Sequence, residues 1–458
     1  MKNHFIFFIS AVLFLMACEP EDTRITSDPD AKLTFSDDSV IFDTLLTFRT
    51  SITKRFRIYN PNKRAVVIDR IGLGRQNSEY SIIVNGEESN EVENIEIFGE
   101  DSLMVLVNVS VDYQDENLPY LVKDSVEVSW GNYQANVKLV AWGQDANFLY
   151  GDTIKTNTTW TSDRPYVIYG YALVDSLATL TIDAGTSIYV DNSSYLLVAG
   201  QLQVQGDSGN HVTFSNTRFD ENYQEAPGQW GGILFLEGSK KNRIEYADIQ
   251  NGTFGLRIGN PDDDDEYDLA VYNTTIRHMS QAGILAFTSD VYAENTLIYN
   301  VGTYMVGGFA GGNYTFEHCT FVNSPSFFVS DDPSVQFADN LVLTETETLV
   351  EELSVSLTNS IIWGSNEEEI LLSNGGGTEL DTSFINNVIR SNTTWPGNFI
   401  SQERDYPGFY DPSSFDFSLD SLSFARDKAI PGAIQVDITG KLRDSKPDIG
   451  AYERFDKE

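Results

Sequence analysis

Cations are scarce in this chain: 30 Lys and Arg stand against 68 Asp and Glu in 458 residues, a formal charge of −38 at pH 7. That balance excludes ordinary nucleic-acid binding, because a duplex repels a polyanion and no cluster of cations is present to displace its counterions. Cysteine and histidine are scarcer still, at two and four residues. With no Cys cluster and no His-Glu-x-x-His, a catalytic zinc site is not expected. Long apolar runs are also missing. The longest, residues 5–16 broken by Ser10, is too short to cross a bilayer as a helix. What the chain does hold is 28 Phe, 22 Tyr and 41% hydrophobic residues, the composition of a globular protein rich in β-formers and not of a disordered acidic tail.

The apolar run follows Lys2 and leads to Ala17 and Cys18, which fits a secretory signal over residues 1–17. Leu15-Met16-Ala17-Cys18 resembles the lipobox of bacterial lipoproteins. The resemblance implies that Cys18 is diacylated on sulfur and becomes the mature N-terminus; the alternative is a soluble exported protein. Several acyl chains on one residue hold a protein stably at a bilayer, at about 0.8 kcal/mol per buried CH₂. Residues 18–31 read as a lipidated tether. Its acidic start, Glu19-Pro20-Glu21-Asp22, resembles the signal that sends lipoproteins of Bacteroidetes-type bacteria to the outer face of the outer membrane; a merely solvated acidic linker is the other reading. With Cys18 acylated, Cys319 has no partner for an intramolecular disulfide.

Residues 32–146 alternate apolar and polar side chains in short segments at 32–36, 55–60, 65–73, 80–85, 94–98, 103–111, 125–130 and 136–142. Turn formers such as Asn60-Pro61-Asn62, Asn85-Gly86 and Gly131-Asn132 divide them. This pattern predicts an antiparallel β-sandwich. The runs Phe56-Arg-Ile-Tyr-Asn60, Val67-Ile-Asp-Arg-Ile71 and Val140-Ala-Trp-Gly143 also resemble immunoglobulin-like modules of bacterial surface proteins, which act as spacers or docking surfaces.

Past residue 150 the pattern becomes periodic. The blocks Tyr246-Ala-Asp-Ile249, Asn273-Thr-Thr-Ile276, Asn295-Thr-Leu-Ile298, His318-Cys-Thr-Phe321, Asp339-Asn-Leu-Val342, Asn359-Ser-Ile-Ile362 and Asn386-Asn-Val-Ile389 end at separations of 27, 22, 23, 21, 20 and 27. A second apolar block follows in most periods: Gly255-Leu256, Gly283-Ile284, Met305-Val306, Phe327-Phe328, Leu349-Val350 and Leu371-Leu372. Short strands at this period, with no helical pattern, are what one coil of a parallel β-helix requires. Stacked about 4.8 Å apart, such coils pair every strand above and below. The second and fourth residues of each block should point inward, with the first, often Asn, near a turn. Cys319 is then a buried, inert thiol.

The stretch Leu180-Thr-Ile-Asp-Ala-Gly-Thr-Ser-Ile188, with His211-Val-Thr-Phe214, Trp230-Gly-Gly-Ile233 and Asn242-Arg-Ile-Glu-Tyr-Ala-Asp-Ile249, resembles right-handed parallel β-helix proteins of the pectin-lyase-like type. The tail from Pro407 through Asp437-Ile-Thr-Gly440 and Arg443 to Pro447-Asp-Ile-Gly-Ala-Tyr-Glu453 is similar to a C-terminal module found on such proteins in marine and gut bacteria. The expected fold is therefore all-β: the sandwich at 32–146, a right-handed parallel β-helix at 147–400, and an end or capping module at 401–458. Caps are expected because an open β-helix exposes unpaired edges.

The resemblance covers polysaccharide lyases, glycoside hydrolases, esterases and non-catalytic adhesins. A lyase needs a basic group and cations to stabilise an enolate. Lys240, Lys241, Arg243, Arg257, Arg277 and His278 are the candidates, and they are scattered. A hydrolase of the polygalacturonase sort would need Asn-Thr-Asp and Gly-His-Gly elements, which are absent; acidic pairs such as Asp331-Asp332 or Glu367-Glu368-Glu369 signify little among so many carboxylates. The densest acidic run supplies Asp262, Asp264, Asp265 and Asp268 as a candidate Ca²⁺ site, against a solvated loop. No other cofactor is indicated. Trp160, Trp363 and Trp395, with Tyr406 and Tyr410, are candidates for stacking on sugar rings, whereas Trp230 is expected to pack on its coil. The expectation is a surface-exposed lipoprotein of the outer membrane that binds glycans or cell-surface partners without catalysis. A lyase or glycoside hydrolase, and a structural or adhesive stalk, are the alternatives.

Overall fold

The structure is a computed structural model describing residues 25–48, 50–259, 266–323, 328, 330–403 and 406–454. The expected leader with Cys18, and Asp262, Asp264 and Asp265, lie outside these residues. The chain divides into two compact units, Met1–Asp145 and Ala146–Glu458.

In the first unit, alternation builds two five-stranded sheets on one core. Ser102–Val109 reads Ser-Leu-Met-Val-Leu-Val-Asn-Val and buries every second residue, Leu103, Val105, Val107 and Val109. Its sheet also holds Thr34–Phe35, Lys54–Tyr59, Tyr80–Val84 and Glu87–Ser89. The other sheet orders Ser39–Leu46, Tyr133–Gln144, Tyr120–Trp130, Val66–Leu73 and Glu91–Ile97. Pairing between these strands is antiparallel except where Ser39–Leu46 runs parallel to Tyr133–Gln144. Ser39–Leu46 is a strand the sequence pattern did not announce; its alternation lapses after Phe42.

The second unit is a right-handed parallel β-helix whose strands form one 25-stranded sheet wound upon itself. A coil contributes three strands, for example Asn242–Glu245, Ala247–Gln250 and Phe254–Gly259. Ile188, Phe214, Ile249, Ile276, Ile298, Phe321, Ile362 and Ile389 pair in register from rung to rung, every one buried. Each such side chain gains roughly 1.5–3 kcal/mol by leaving water, which no single coil could provide alone. The first residue of each block turns the chain: Tyr246, Asn273, Asn295, His318, Asn359 and Asn386 have φ between 45° and 61°. Asn tolerates that left-handed region better than most residues, and it adds an amide ladder. Asn295 donates to Asn273 Oδ1 at 3.0 Å and Asn386 to Asn359 Oδ1 at 2.9 Å.

Two expectations need correction. The block Asp339-Asn-Leu-Val342 is not a rung, since Phe321 pairs with Ile362 directly. Asn340–Val342 instead pairs antiparallel with Thr348–Val350, so the expected inward Leu349-Val350 lies on an extruded hairpin. The second column there runs from Val306 to Val335; of the expected Phe327-Phe328, Phe327 lies outside the described residues. The tail, expected to close the end, runs back along a flank of the coils. Lys428 O accepts from Asn386, Ile430 O from Asn359 and Val436 O from Asn295, so the strap follows the amide ladder from its last step towards earlier coils. Phe417, Leu419, Ala425, Ala429, Ile438, Ile449 and Ala451 form a core with outward side chains of those coils, among them Tyr299, Val322 and Trp363.

Candidate functional site

Each residue just before a left-handed turn points outward, and on successive rungs these are Glu245, Tyr272, Glu294 and Glu317. Two residues earlier on the same strands stand Arg243, Ala270, Tyr292 and Thr315, also in register. Rung stacking thus sets carboxylates, phenols and one guanidinium side by side on a half-exposed face. Arg243 donates to Glu245 Oε2 through Nε at 3.1 Å and Nη2 at 2.9 Å, and its guanidinium lies 3.8 Å from the centre of the Tyr272 ring. The Tyr292 ring is 5.6 Å from Tyr272 and 5.2 Å from Tyr267.

The Tyr292 hydroxyl donates to Glu294 Oε2 at 2.7 Å and also lies 3.0 Å from Glu317 Oε2. One phenol proton cannot fill both contacts. Burial pushes the Glu294 carboxyl above the usual carboxylate range and the Glu317 charge adds to this, while the Tyr292 bond opposes it. Burial, reinforced by both carboxylates, lifts the Tyr292 phenol well above its ordinary value and keeps it a donor. Tyr292 thus bridges two carboxyls on adjacent rungs, bordered by aromatic rings.

Across the turn, on the next face of the helix, His211 Nδ1 lies 3.1 Å from Asp248 Oδ2, and Arg277 donates to Gln250 Oε1 at 2.9 and 2.6 Å. The residues proposed for a lyase base do not converge. Arg243, Arg257 and Arg277 stand on Asn242–Glu245, Phe254–Gly259 and Thr275–Met279, which belong to three different faces of the coil. Lys241 pairs with Glu266, and His278 is buried against Asn300, its pKa lowered to about 4 by burial and then by Arg277.

The remaining candidates are placed as follows. Trp160 is buried, stacked at 4.4 Å on Tyr166, and Trp363 is buried between coil and strap with Tyr406 at 5.5 Å. Neither offers a ring face to a sugar, which corrects the stacking expectation for both. Trp395 is half-buried over Phe384 at 4.9 Å, Tyr410 is exposed, and Trp230 is buried as expected. Asp268 is also buried and takes the Asp290 N–H on Oδ2, which engages it with the backbone of the following rung. Among the described residues no group of three or more His, Cys, Asp or Glu is arranged to hold a metal ion. Cys319 is buried and its thiol is pushed up to about 12 by that burial.

Sequence reasoning named Arg243 but missed Tyr272, Tyr292, Glu294 and Glu317. The signal was one residue upstream of the aligned blocks, where the outward column reads Glu, Tyr, Glu, Glu.

Residues 152–269 match the family described as a pectate-lyase-like β-helix domain. No curated protein matches the chain at a significant level. Among solved structures, it is similar to a protein of unknown function from Porphyromonas gingivalis W83, with 8% identity, a TM-score of 0.19 and 27% of this chain and 59% of that one covered. A family 123 glycoside hydrolase from Clostridium perfringens shares 6% identity over 26% of each chain, with a TM-score of 0.18. The catalytic unit of a GH87 α-1,3-glucanase from Streptomyces thermodiastaticus strain HF3-3 shares 10% identity over 76% of each chain, with a TM-score of 0.33. The chain therefore spans about three fifths of the first structure and a quarter of the second.

Proposed function

We propose that the protein binds uncharged glycan chains along the face carrying Arg243, Tyr272, Tyr292, Glu294 and Glu317, as a lipoprotein held by acyl chains on Cys18 at the outer membrane and exposed to the cell surface. The observation that carries this reading is the row of phenols beside carboxylates on consecutive rungs, with Tyr292 bridging Glu294 and Glu317. Aromatic rings offer an apolar face to a sugar, and carboxylates accept from its hydroxyls. The net charge of −38 opposes polyuronates unless a divalent cation intervenes.

Hydrolysis is the second reading, favoured by one feature. Glu294, raised by burial, suits a general acid, and Glu317 supplies a second carboxyl on the adjacent rung.

Purified protein passed over immobilised neutral, amino and acidic polysaccharides, with assays for reducing and unsaturated ends, tests both readings. Retention on a neutral glycan should fall on the order of tenfold in Tyr272→Ala and Tyr292→Ala. It should be unchanged in Tyr410→Ala. Equal losses in all three would refute the assignment of the face, whereas cleavage abolished by Glu294→Gln would move the choice to a hydrolase. For the anchor, labelled palmitate should be incorporated by the wild type and not by Cys18→Ser, which should appear in the medium.

A further inference from the structure

The excursion between Asp339 and Glu352 carries apolar residues in the phase of a rung yet leaves them in water. Val342 is 65% exposed, Leu343 49%, Leu349 43% and Val350 37%. Elsewhere in the β-helix, residues at the corresponding block positions, such as Ile298 and Ile362, are completely buried. The hairpin is nevertheless held firmly at its base. Glu351 N–H donates to Asp339 O at 3.0 Å and Gly312 N–H to Glu352 O at 2.8 Å. The buried Asp339 carboxylate accepts from the N–H groups of Gly376 and Thr378 and from the Thr378 hydroxyl.

Asn340–Val342 and Thr348–Val350 form a two-stranded sheet, so among the described residues each strand has one edge whose backbone groups lack a sheet neighbour. Open apolar edges are templates for another strand, and proteins ordinarily blunt them with lysine, proline or a covering loop. Here the sequence Asp339-Asn-Leu-Val-Leu-Thr-Glu-Thr-Glu-Thr-Leu-Val-Glu-Glu352 has neither lysine nor proline, and its only charges are negative. Glu345, Glu347, Glu351 and Glu352 are exposed beside the apolar positions.

We propose that this hairpin is a docking edge for an extended segment of a partner protein that alternates Lys or Arg with Val, Ile or Leu and adds as a third strand. Its backbone pairs with the open edge, its apolar residues cover Val342 and Val350, which the register sets on one face of the hairpin, and its cations fall on the opposite face, in phase with Glu347 and Glu351. A second copy of the chain is disfavoured as occupant, because it would set glutamate against glutamate on a molecule already strongly negative. The inference is independent of the glycan reading, since it concerns different residues.

The test uses the full chain and labelled twelve-residue peptides in a fluorescence anisotropy titration. A peptide alternating Lys and Val should bind, and more weakly as salt rises. A peptide of the same composition with the lysines in one block, and one with Glu replacing every Lys, should bind at least tenfold more weakly. Val342→Asp should lose the alternating peptide at least tenfold, and Leu422→Asp, at a position 92% exposed elsewhere, should not. Because these side chains are already in water, the variants should unfold at the wild-type temperature, which separates lost docking from lost folding. Equal binding of all three peptides, or full binding by Val342→Asp, would overturn the proposal. Sedimentation showing self-association that Val342→Asp abolishes would also overturn it, in favour of a second copy.

Discussion

The same coils present two outward faces of opposite character, separated by a single left-handed residue. Beyond that turn, the outward positions are Leu297, Tyr299, Val322, Ile361, Trp363 and Val388, all buried beneath the strap. Before the turn they are Tyr292, Glu294, Thr315, Glu317 and Ser356, half-exposed and polar. Inward residues are alike on both faces, so the inward column fixes only that coils stack. The outward column records what covers each face: protein on one side, water or a ligand on the other. A strap 49 residues long, 406–454, could not stay on a polar flank, because its own apolar side chains would remain wet.

The largest way to break the contrast is to release the strap. Arg443 is buried between strap and ladder, donating to Asn295 Oδ1 and Gly450 O at 2.9 Å each and to Val436 O at 3.2 Å, and pairing with Glu453 at 3.3 Å. This gives Asp437-Ile-Thr-Gly440, Arg443 and Glu453 one shared role in the tail: Asp437 ties Thr439, Lys441 and Glu453 N–H groups, and Glu453 faces the arginine. Arg443→Ala leaves the Glu453 carboxylate buried without its cation. Removing one partner of a buried pair costs about 3–5 kcal/mol. Urea unfolding should show that loss, with new dye-binding surface on the coils as the strap detaches. A change under about 1 kcal/mol would mean that the strap is held by its apolar contacts alone.

The ladder beneath the strap carries a pH dependence of definite sign. Burial, with Arg443 adding, lowers the His318 pKa to about 3, and burial, with Arg277 adding, lowers His278 to about 4. In the unfolded chain both titrate near about 6.5. Between these values the unfolded state holds more protons, so the contribution is complete above about pH 6.5 and lost as pH falls toward the folded values, at about 1.4 kcal/mol per pH unit for each histidine. Glu294, Glu453 and Asp448 are raised by burial and act in the opposite sense at lower pH, gaining protons first in the folded state. His318→Asn supplies the residue used at most other steps of the ladder and removes one of the two titrations. Between pH 7 and pH 5 the variant should lose about 2 kcal/mol less than the wild type. Identical acid limbs would mean that His318 is not buried neutral.

How far this could be read beforehand depends on which side of the strand a residue faces. The inward column was legible because Ile249, Ile276, Ile298 and Phe321 repeat at a nearly constant period, and Asn at the head of a block marked a turn, though not its left-handed conformation. Asp339-Asn-Leu-Val342 has the same lettering, and nothing local distinguishes it. What diverts it is Asp339 binding the N–H groups of Gly376 and Thr378, and a chain reversal at Leu343, where two N–H groups meet Glu347 O. Trp160 and Trp363 failed as sugar platforms for the same reason, since the rings covering them, Tyr166 and Tyr406, are placed by folding. The tail motif was visible, but its target, Asn295, lies 148 residues away in sequence. The Tyr292 site could have been found by aligning the outward residues as the inward ones were aligned.

The smallest effect gives the sharpest comparison, because it exchanges nearly equal shapes. Val322 lies beneath the strap and is fully buried, and Thr315 lies on the open face beside Tyr292 in register. Val322→Thr places a hydroxyl among apolar neighbours, and leaving it without a partner costs about 1–3 kcal/mol. Thr315→Val changes a half-exposed position by no more than about 0.5 kcal/mol. Paired urea titrations of the two variants measure the difference with volume held almost constant. Equal losses would mean that the strap leaves its flank in solution, so that both faces meet water alike; a larger loss at Thr315 would mean that something covers the polar face as well.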